Sequence, residues 1–384
     1  MNTLAPISGK ERLQILDILR GFAIFGILAV NIGGFASPIF FPGYLVHDAS
    51  VFDELAHRLM LFFAEGKFYT IFSFLFGLGF SVQLGRAENK GRDIKSFYPR
   101  RLWVLFGFGI LHAIFFWYGD ILRLYALLGF ALLAFRNRSN RTLLIWAGIF
   151  YAAAFIILVL IGGPFANEPI PGFDVVAMAR QAYHGSSFLN VLIFQVITFP
   201  VTFGVIALAQ GLIVMSLFLL GLFAGRIRFF EHLYENRVWL IRAAIFGLLV
   251  GVPANALFML TENSVPASLG FTIGSPAFAA MYVSLIGLIS LTESGQKILA
   301  PLSYVGRMAL TNYILQSVVC SLLFFGYGFG LYEQIGAAGL WGVTFLIYLV
   351  QIPFSMAWLS RFHFGLFEWV WRTLTYRQRQ PFVR

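Results

Sequence analysis

Long apolar runs fill this chain, and its basic residues fall between them. A helix needs about 20 apolar residues to cross a bilayer. Runs of that order recur from near Leu13 to Trp358. In lipid each backbone N–H and C=O must be met internally, so such runs predict helices. Ten spans are predicted, at 14–36, 57–83, 101–118, 121–135, 142–162, 201–224, 239–259, 272–291, 305–326 and 338–359. The expected fold class is an all-α polytopic membrane protein with about 10 transmembrane helices.

Two of these spans are irregular. The run 121–135 has only 15 residues. It extends to Arg138, sits where the bilayer is thin, or re-enters. Apolar character continues from Phe188 to Ala224 with Pro200 inside. Pro200 ends an interfacial helix or kinks the span.

Composition excludes an ordinary soluble fold. Of 384 residues, 59% are hydrophobic and 11% are charged, against about 25% charged in soluble domains. A water-facing surface needs more polar residues than that. The single cysteine, Cys320, excludes an intrachain disulfide and a multi-cysteine metal cluster. No cleavable signal peptide is expected, because the run near Leu13 lacks a clear cleavage site.

The charges sort by connection. On ten spans, 23 of the 27 Lys and Arg fall on one side or at its boundary. They are Lys10, Arg12 and Arg20; Arg86 to Arg101; Arg136, Arg138 and Arg141; Arg226, Arg228, Arg237 and Arg242; Lys297 and Arg307; and the five arginines from Arg361 onward. The positive-inside rule makes that side, and both termini, cytoplasmic. The opposite connections carry Asp48, Asp53, Glu54, Glu168, Asp174, Glu262 and Glu333, with Arg180 as an exception. A net charge of +10 in short loops beside apolar spans points to membrane lipids rather than nucleic acid.

Three regions follow. Residues 1–163 form an N-terminal transmembrane half with LRG, EGK and HAxxxWYGD motifs. Residues 164–200 form an extracytoplasmic connection with an interfacial helix. Residues 201–384 form a C-terminal transmembrane half that ends in a basic, aromatic tail from Arg361, expected as a cytoplasmic interfacial helix.

Ionisable groups inside apolar spans are costly unless paired or hydrated. Asp17 and Arg20 share a helix face and can pair; they orient the helix or meet an anionic headgroup or nucleotide. His57 stacks above Glu65 in the second span, and Lys67 and Tyr69 follow. Glu65 and Lys67 do not face each other on a continuous helix. Each finds a partner elsewhere, or Gly66 breaks the helix. His112 and Asp120 close a very short connection between antiparallel neighbours, and Arg123 follows. A carboxylate beside a histidine fixes its tautomer and makes it a general base; a packing histidine explains the pair equally. The ninth span carries Ser303, Tyr304, Arg307, Thr311, Asn312, Gln316 and Ser317, for helix–helix hydrogen bonds or a ligand path. Pro253 and Asn255 mark a kink in the seventh. There is no phosphate-binding glycine loop, dinucleotide fingerprint or zinc motif, so no metal is expected.

Two blocks carry a family resemblance. LDILRGFAIFGILAVNI (16–32), FFAEGKFYTIFSFLFGLGFS (62–81) and LHAIFFWYGDILRLYALLG (111–129) form the first. GRMALTNYILQSVVCSLLFFGYGFGLY (306–332) and RFHFGLFEWVWRTLTY (361–376) form the second. Together they resemble the DUF418, or YeiB-like, membrane protein family, with the weakest match at about 140–200. That family looks like a distant relative of membrane acyltransferases, including the heparan-glucosaminide acetyltransferase and acyltransferase-3 groups. The resemblance implies an acyltransferase-like transmembrane bundle in a bacterial cytoplasmic (inner) membrane. It implies acyl-CoA as co-substrate, no permanently bound cofactor, and a small-molecule or lipid-linked acceptor. Arg20 matches the donor-side arginine of acyltransferase-3, but Asn31 stands where that group has its histidine.

The expected reaction is therefore acyl transfer from cytoplasmic acyl-CoA to an extracytoplasmic or lipid-linked hydroxyl or amine. His57 or His112 would be the base, oriented by Glu65 or Asp120. Asp17 and Arg20 would stand at the donor's entrance, and Arg307 would help bind substrate or donor. Asn31, Tyr69 or Asn312 would polarise the thioester, and Gln316 would line the path. The alternative is a secondary transporter of a small polar or anionic metabolite, with Glu65, Lys67, Asp120 and Arg123 as substrate or proton-path residues. Homo-oligomerisation stays open.

Overall fold

The computed structural model describes residues 13–41, 43–44, 50–91, 93–162, 174–261 and 265–384. Lys10, Arg12, Asp48, Arg92, Glu168 and Glu262, which entered the charge comparison, lie outside the described residues.

Fourteen α-helices form among the described residues: α1 (Gln14–Ala36), α2 (Val51–Phe63), α3 (Lys67–Asn89), α4 (Tyr98–Phe115), α5 (Leu122–Ala134), α6 (Asn140–Gly162), α7 (Val175–His184), α8 (Phe188–Arg226), α9 (Arg237–Leu260), α10 (Val265–Ile289), α11 (Glu293–Arg307), α12 (Ala309–Phe324), α13 (Ala337–Arg361) and α14 (Leu366–Tyr376). No strand forms among these residues; Phe362 and Val383 make one isolated bridge. The all-α class follows from the sequence.

The count of spans does not. Among the described residues six helices are long and apolar enough to cross a membrane: α1, α2 with α3, α6, α9, α10 and α13. A seventh crossing is reached if α11 and α12, bent by 76° at Met308, count as one. The expected 10 is therefore corrected to six or seven among the described residues. The reasons are local. The fourth expected span is the 13-residue α5, ending at Ala134, which is about 20 Å long against a core of about 30 Å. The third is the 18-residue α4, whose first turns carry Arg100 and Arg101 and whose last carries His112. The ninth is broken, so Arg307 ends one helix while Thr311 opens another.

Pro200 does not end its helix. The α8 helix runs through it for 39 residues. The second expected span does break where glycine stands. Gly66 has φ +81°, a left-handed conformation that glycine adopts at little cost. A Cβ there would also meet Ser275 Oγ at 2.3 Å.

Charge sorting reappears in three dimensions. At one end of the bundle, Arg101 O accepts from Trp371 Nε1 at 2.8 Å, and Arg226 reaches Arg138 O at 2.5 Å. Phe97 stacks on Tyr376 there. At the other end, Arg180 clamps Glu333, Asp53 accepts from Ala338 N, and Glu333 N donates to Ala36 O. Apolar cores lie between. Phe80, Leu102, Tyr125 and Phe218 form one near the basic end. Phe35, Trp117, Tyr183 and Phe325 form another near the acidic end.

Candidate functional site

The HAxxxWYGD segment folds as its length dictates. The α4 helix closes when Phe116 N and Trp117 N both donate to His112 O. Six residues, 116–121, join it to α5, so α4 and α5 lie antiparallel. Gly109 permits their close approach, because a Cβ there would come within 2.7 Å of Asp120 Oδ1. His112 and Asp120 are thereby brought face to face at the acidic end.

Their contacts define the site. His112 Nδ1 lies 3.1 Å from Asp120 Oδ2. This is an ion-pair approach and not a well-aligned hydrogen bond, since neither atom meets hydrogen-bond geometry. On the other side of the ring, Nε2 lies 2.7 Å from Ser317 Oγ of α12. Asp120 Oδ1 accepts from Arg123 N at 3.0 Å and faces Arg123 Nε at 3.4 Å. The Arg123 guanidinium donates to Tyr118 O at 2.8 Å and lies over the Phe199 and Phe203 rings of α8. Relative exposure is 1% for His112, 0% for Asp120 and Arg123, and 2% for Ser317. The group is a sealed relay, in which each Asp120 oxygen faces a different partner.

The ring thus has a carboxylate facing one nitrogen and a hydroxyl facing the other. With the ring proton on Nδ1, toward Asp120, Nε2 would be the acceptor for the Ser317 hydroxyl. Hydroxyl, imidazole and carboxylate are the residue types from which general-base chemistry is built.

The other expected residues are distributed elsewhere. Arg20 Nη1 pairs with Asp17 Oδ1 at 2.8 Å at the basic end of α1. Arg307 ends α11, its guanidinium 5.9 Å from the Tyr304 ring. Asn31 is half-buried on α1 and His57 half-buried on α2. Glu65 lies beside the Gly66 break. Lys67 is fully buried, donates to Leu61 O at 2.7 Å and lies over the Phe258 ring. Tyr69 O accepts from Tyr125 OH, deeper along α5 than Arg123. Asn312 Nδ2 donates to Val305 O and Ser355 Oγ, and Gln316 Nε2 donates to Gln351 Oε1. These two amides tie α12 to neighbouring helices, which is the packing role open to them from sequence. His112, Asp120 and Arg123 are brought together; His57 with Glu65 forms a separate locality.

Three participants carried no clear signal. Ser317 was one hydroxyl in a polar helix, and it meets His112 across 205 positions. Arg101, whose guanidinium lies 3.5 Å over the Trp371 ring, is an electrostatic neighbour of Arg20. Gln195, fully buried, donates to Phe116 O and fixes α8 against the end of α4. In the acidic-end core, Trp117 Nε1 and the hydroxyls of Tyr118, Tyr183 and Tyr332 are buried without a hydrogen-bond partner. Among the described residues no group of three or more His, Cys, Asp or Glu is arranged to hold a metal ion.

Residues 224–378 match the model of a family described as "Protein of unknown function (DUF418)". The chain is 36% identical over 405 residues to the uncharacterized protein YxaH of Bacillus subtilis (strain 168), covering 100% of this chain and 99% of that one. It is 31% identical to an uncharacterized 39.9 kDa protein of Bacillus acidopullulyticus, covering 98% of each. It is 29% identical to the uncharacterized protein YeiB of Escherichia coli (strain K12), covering 97% of this chain and 98% of that one. Bacterial relatives and several apolar helices together fit a multi-pass bacterial membrane protein.

Proposed function

This chain belongs to the DUF418 family, and from that premise we propose that it is a membrane acyltransferase of the bacterial cytoplasmic membrane. The observation that carries the reading is the buried placement of His112 between Asp120 and Ser317. A hydroxyl held 2.7 Å from a carboxylate-backed imidazole is the geometry that general-base acyl transfer needs. A packing histidine has no need of a charged partner at 0% exposure, since burying an ion costs several kcal/mol.

The donor's phosphates enter at the basic end, which the positive-inside rule assigns to the cytoplasm. Arg20 and Arg101 supply charge there. Arg101 and His112 lie on the same helix, roughly 16 Å apart along it at 1.5 Å per residue. An extended pantetheine arm spans a distance of that order, which answers how a cytoplasmic donor meets a base near the opposite end. The unpartnered polar atoms of Trp117, Tyr118, Tyr183 and Tyr332 belong to the core at the same acidic end and are candidates to meet an acceptor hydroxyl or amine. Each such atom costs about 1–3 kcal/mol unless water or a ligand meets it.

Acyl-CoA binding tests the reading. Calorimetry on protein in nanodiscs is expected to show saturable binding of acetyl-CoA or a longer homologue. Arg20→Ala is expected to weaken it at least tenfold. A folded sample that binds no donor of any length would refute acyl transfer.

A second reading has its own observation. The α2–α3 helix is discontinuous at Gly66, and beside the break Glu65 Oε2 is buried without a hydrogen bond. Broken helices with ionisable groups are how secondary transporters build substrate sites. Uptake by proteoliposomes that Glu65→Gln abolishes, with no acyl-CoA binding, would favour a transporter of a small polar or anionic metabolite.

A further inference from the structure

We infer that Ser317 is a nucleophile that carries the acyl group as a covalent ester between donor and acceptor. The inference rests on the acyl-transfer reading for its donor, a thioester, and goes beyond it in mechanism. General-base catalysis alone needs only His112. The structure adds a protein hydroxyl on the bare side of the imidazole, where an acceptor hydroxyl would otherwise have to sit.

The order of groups is Ser317 Oγ to His112 Nε2 at 2.7 Å, then His112 Nδ1 to Asp120 Oδ2 at 3.1 Å. They come from three separate elements, α12, α4 and the α4–α5 connection. Nucleophile, base and orienting carboxylate in that sequence define the constellation used for acyl transfer on unrelated folds. A competing partner for the hydroxyl is Tyr313 O, one turn back on α12, at 3.3 Å. The shorter contact is to the imidazole, and an Nδ1–H tautomer leaves Nε2 able to take the Ser317 proton. Arg123 faces the other Asp120 oxygen at 3.4 Å, and its Nη1 is buried without a hydrogen-bond partner.

The steps balance. Ser317 Oγ attacks the thioester carbonyl while its proton passes to His112 Nε2. A C–O bond forms, the C–S bond breaks, and the His112 proton leaves with the thiolate as free thiol. An acceptor hydroxyl or amine then gives its proton to His112 and attacks the Ser317 ester. The acyl group moves to the acceptor, and the His112 proton returns to Ser317 Oγ. Donor and acceptor need never be bound together, so the two can approach from opposite ends of the bundle.

The test uses full-length protein in nanodiscs with acetyl-CoA and no acceptor. Acid quench, digestion and mass spectrometry are expected to find one acetyl group on the peptide containing Ser317, with one free thiol released per protein. Ser317→Ala removes the adduct, Ser317→Cys restores it as a thioester, and His112→Gln slows its formation by about 10²- to 10⁴-fold. A small activated ester, p-nitrophenyl acetate, is run in parallel on the wild type. Labelling of Ser317 by that ester without acetyl-CoA binding supports the nucleophile and overturns the donor reading instead. Acetyl-CoA binding and transfer with no adduct at Ser317 overturns the covalent step and leaves the acyltransferase standing. No adduct from either reagent on folded wild-type protein overturns the inference.

Discussion

Asp120 holds the site together by facing His112 with one carboxylate oxygen and Arg123 with the other. Replacing it with alanine leaves the Arg123 guanidinium buried without its counter-charge. Breaking such a pair costs about 3–5 kcal/mol, so Asp120→Ala is expected to lower the unfolding midpoint in detergent sharply. Asp120→Asn keeps an acceptor for Arg123 N and is expected to fold better while losing turnover. At the surface the ledger is smaller. Burial raises the Glu333 carboxyl, but hydrogen bonds from Arg180 and His184 outweigh it and hold it below the ordinary range. Its stabilisation is therefore complete above the unfolded value, about 4.3, and is lost as the pH falls through the lower folded value. Arg180 is half exposed, so the effect is under about 1 kcal/mol. Glu333→Gln should remove this acid-side slope from a plot of unfolding midpoint against pH. The His112–Asp120 pair was legible because the connection that carries Asp120, residues 116–121, is only six residues long. Ser317 was not legible, because no local pattern marks which hydroxyl of α12 meets a ring from α4.

Two helix breaks show what elements owe to local and to distant residues. The break between α2 and α3 has a local cause in Gly66. Gly66→Ala is expected to destabilise by more than about 1 kcal/mol, since alanine pays for the left-handed φ and its Cβ would press on Ser275. The break between α11 and α12 has no glycine or proline at Met308. It is held from the tail. Glu368 Oε1 accepts from Leu310 N at 2.7 Å and Thr311 N at 3.1 Å, and Oε2 accepts from Thr311 Oγ1. A carboxylate thus caps the first turn of α12, where backbone N–H groups lack helical partners. Glu368→Ala leaves those buried donors unmet at about 1–3 kcal/mol each. Thermal unfolding should fall well below that of Glu368→Gln, which keeps an oxygen in place. The tail read from sequence as a basic, aromatic interfacial helix is therefore also a structural clamp on α12.

At the scale of the molecule, sorting of charge survives the change in the number of crossings. Basic connections meet at one end and acidic ones at the other. In a Cys320→Ala background, Lys90→Cys and Phe329→Cys place thiols at exposed positions of the two ends. An impermeant maleimide added to intact cells is expected to label Phe329→Cys and spare Lys90→Cys; labelling of both equally would refute the two-ended arrangement. Lipid as solvent, helix as the only element and the division of charge were all determined by the sequence, because hydropathy and loop charge are sums over neighbours in the chain. Which apolar stretches are long enough to cross, where a helix breaks without glycine or proline, and which serine meets His112 were decided only by tertiary structure. Those outcomes depend on hydrogen bonds between residues tens to hundreds of positions apart, and no local sum contains them.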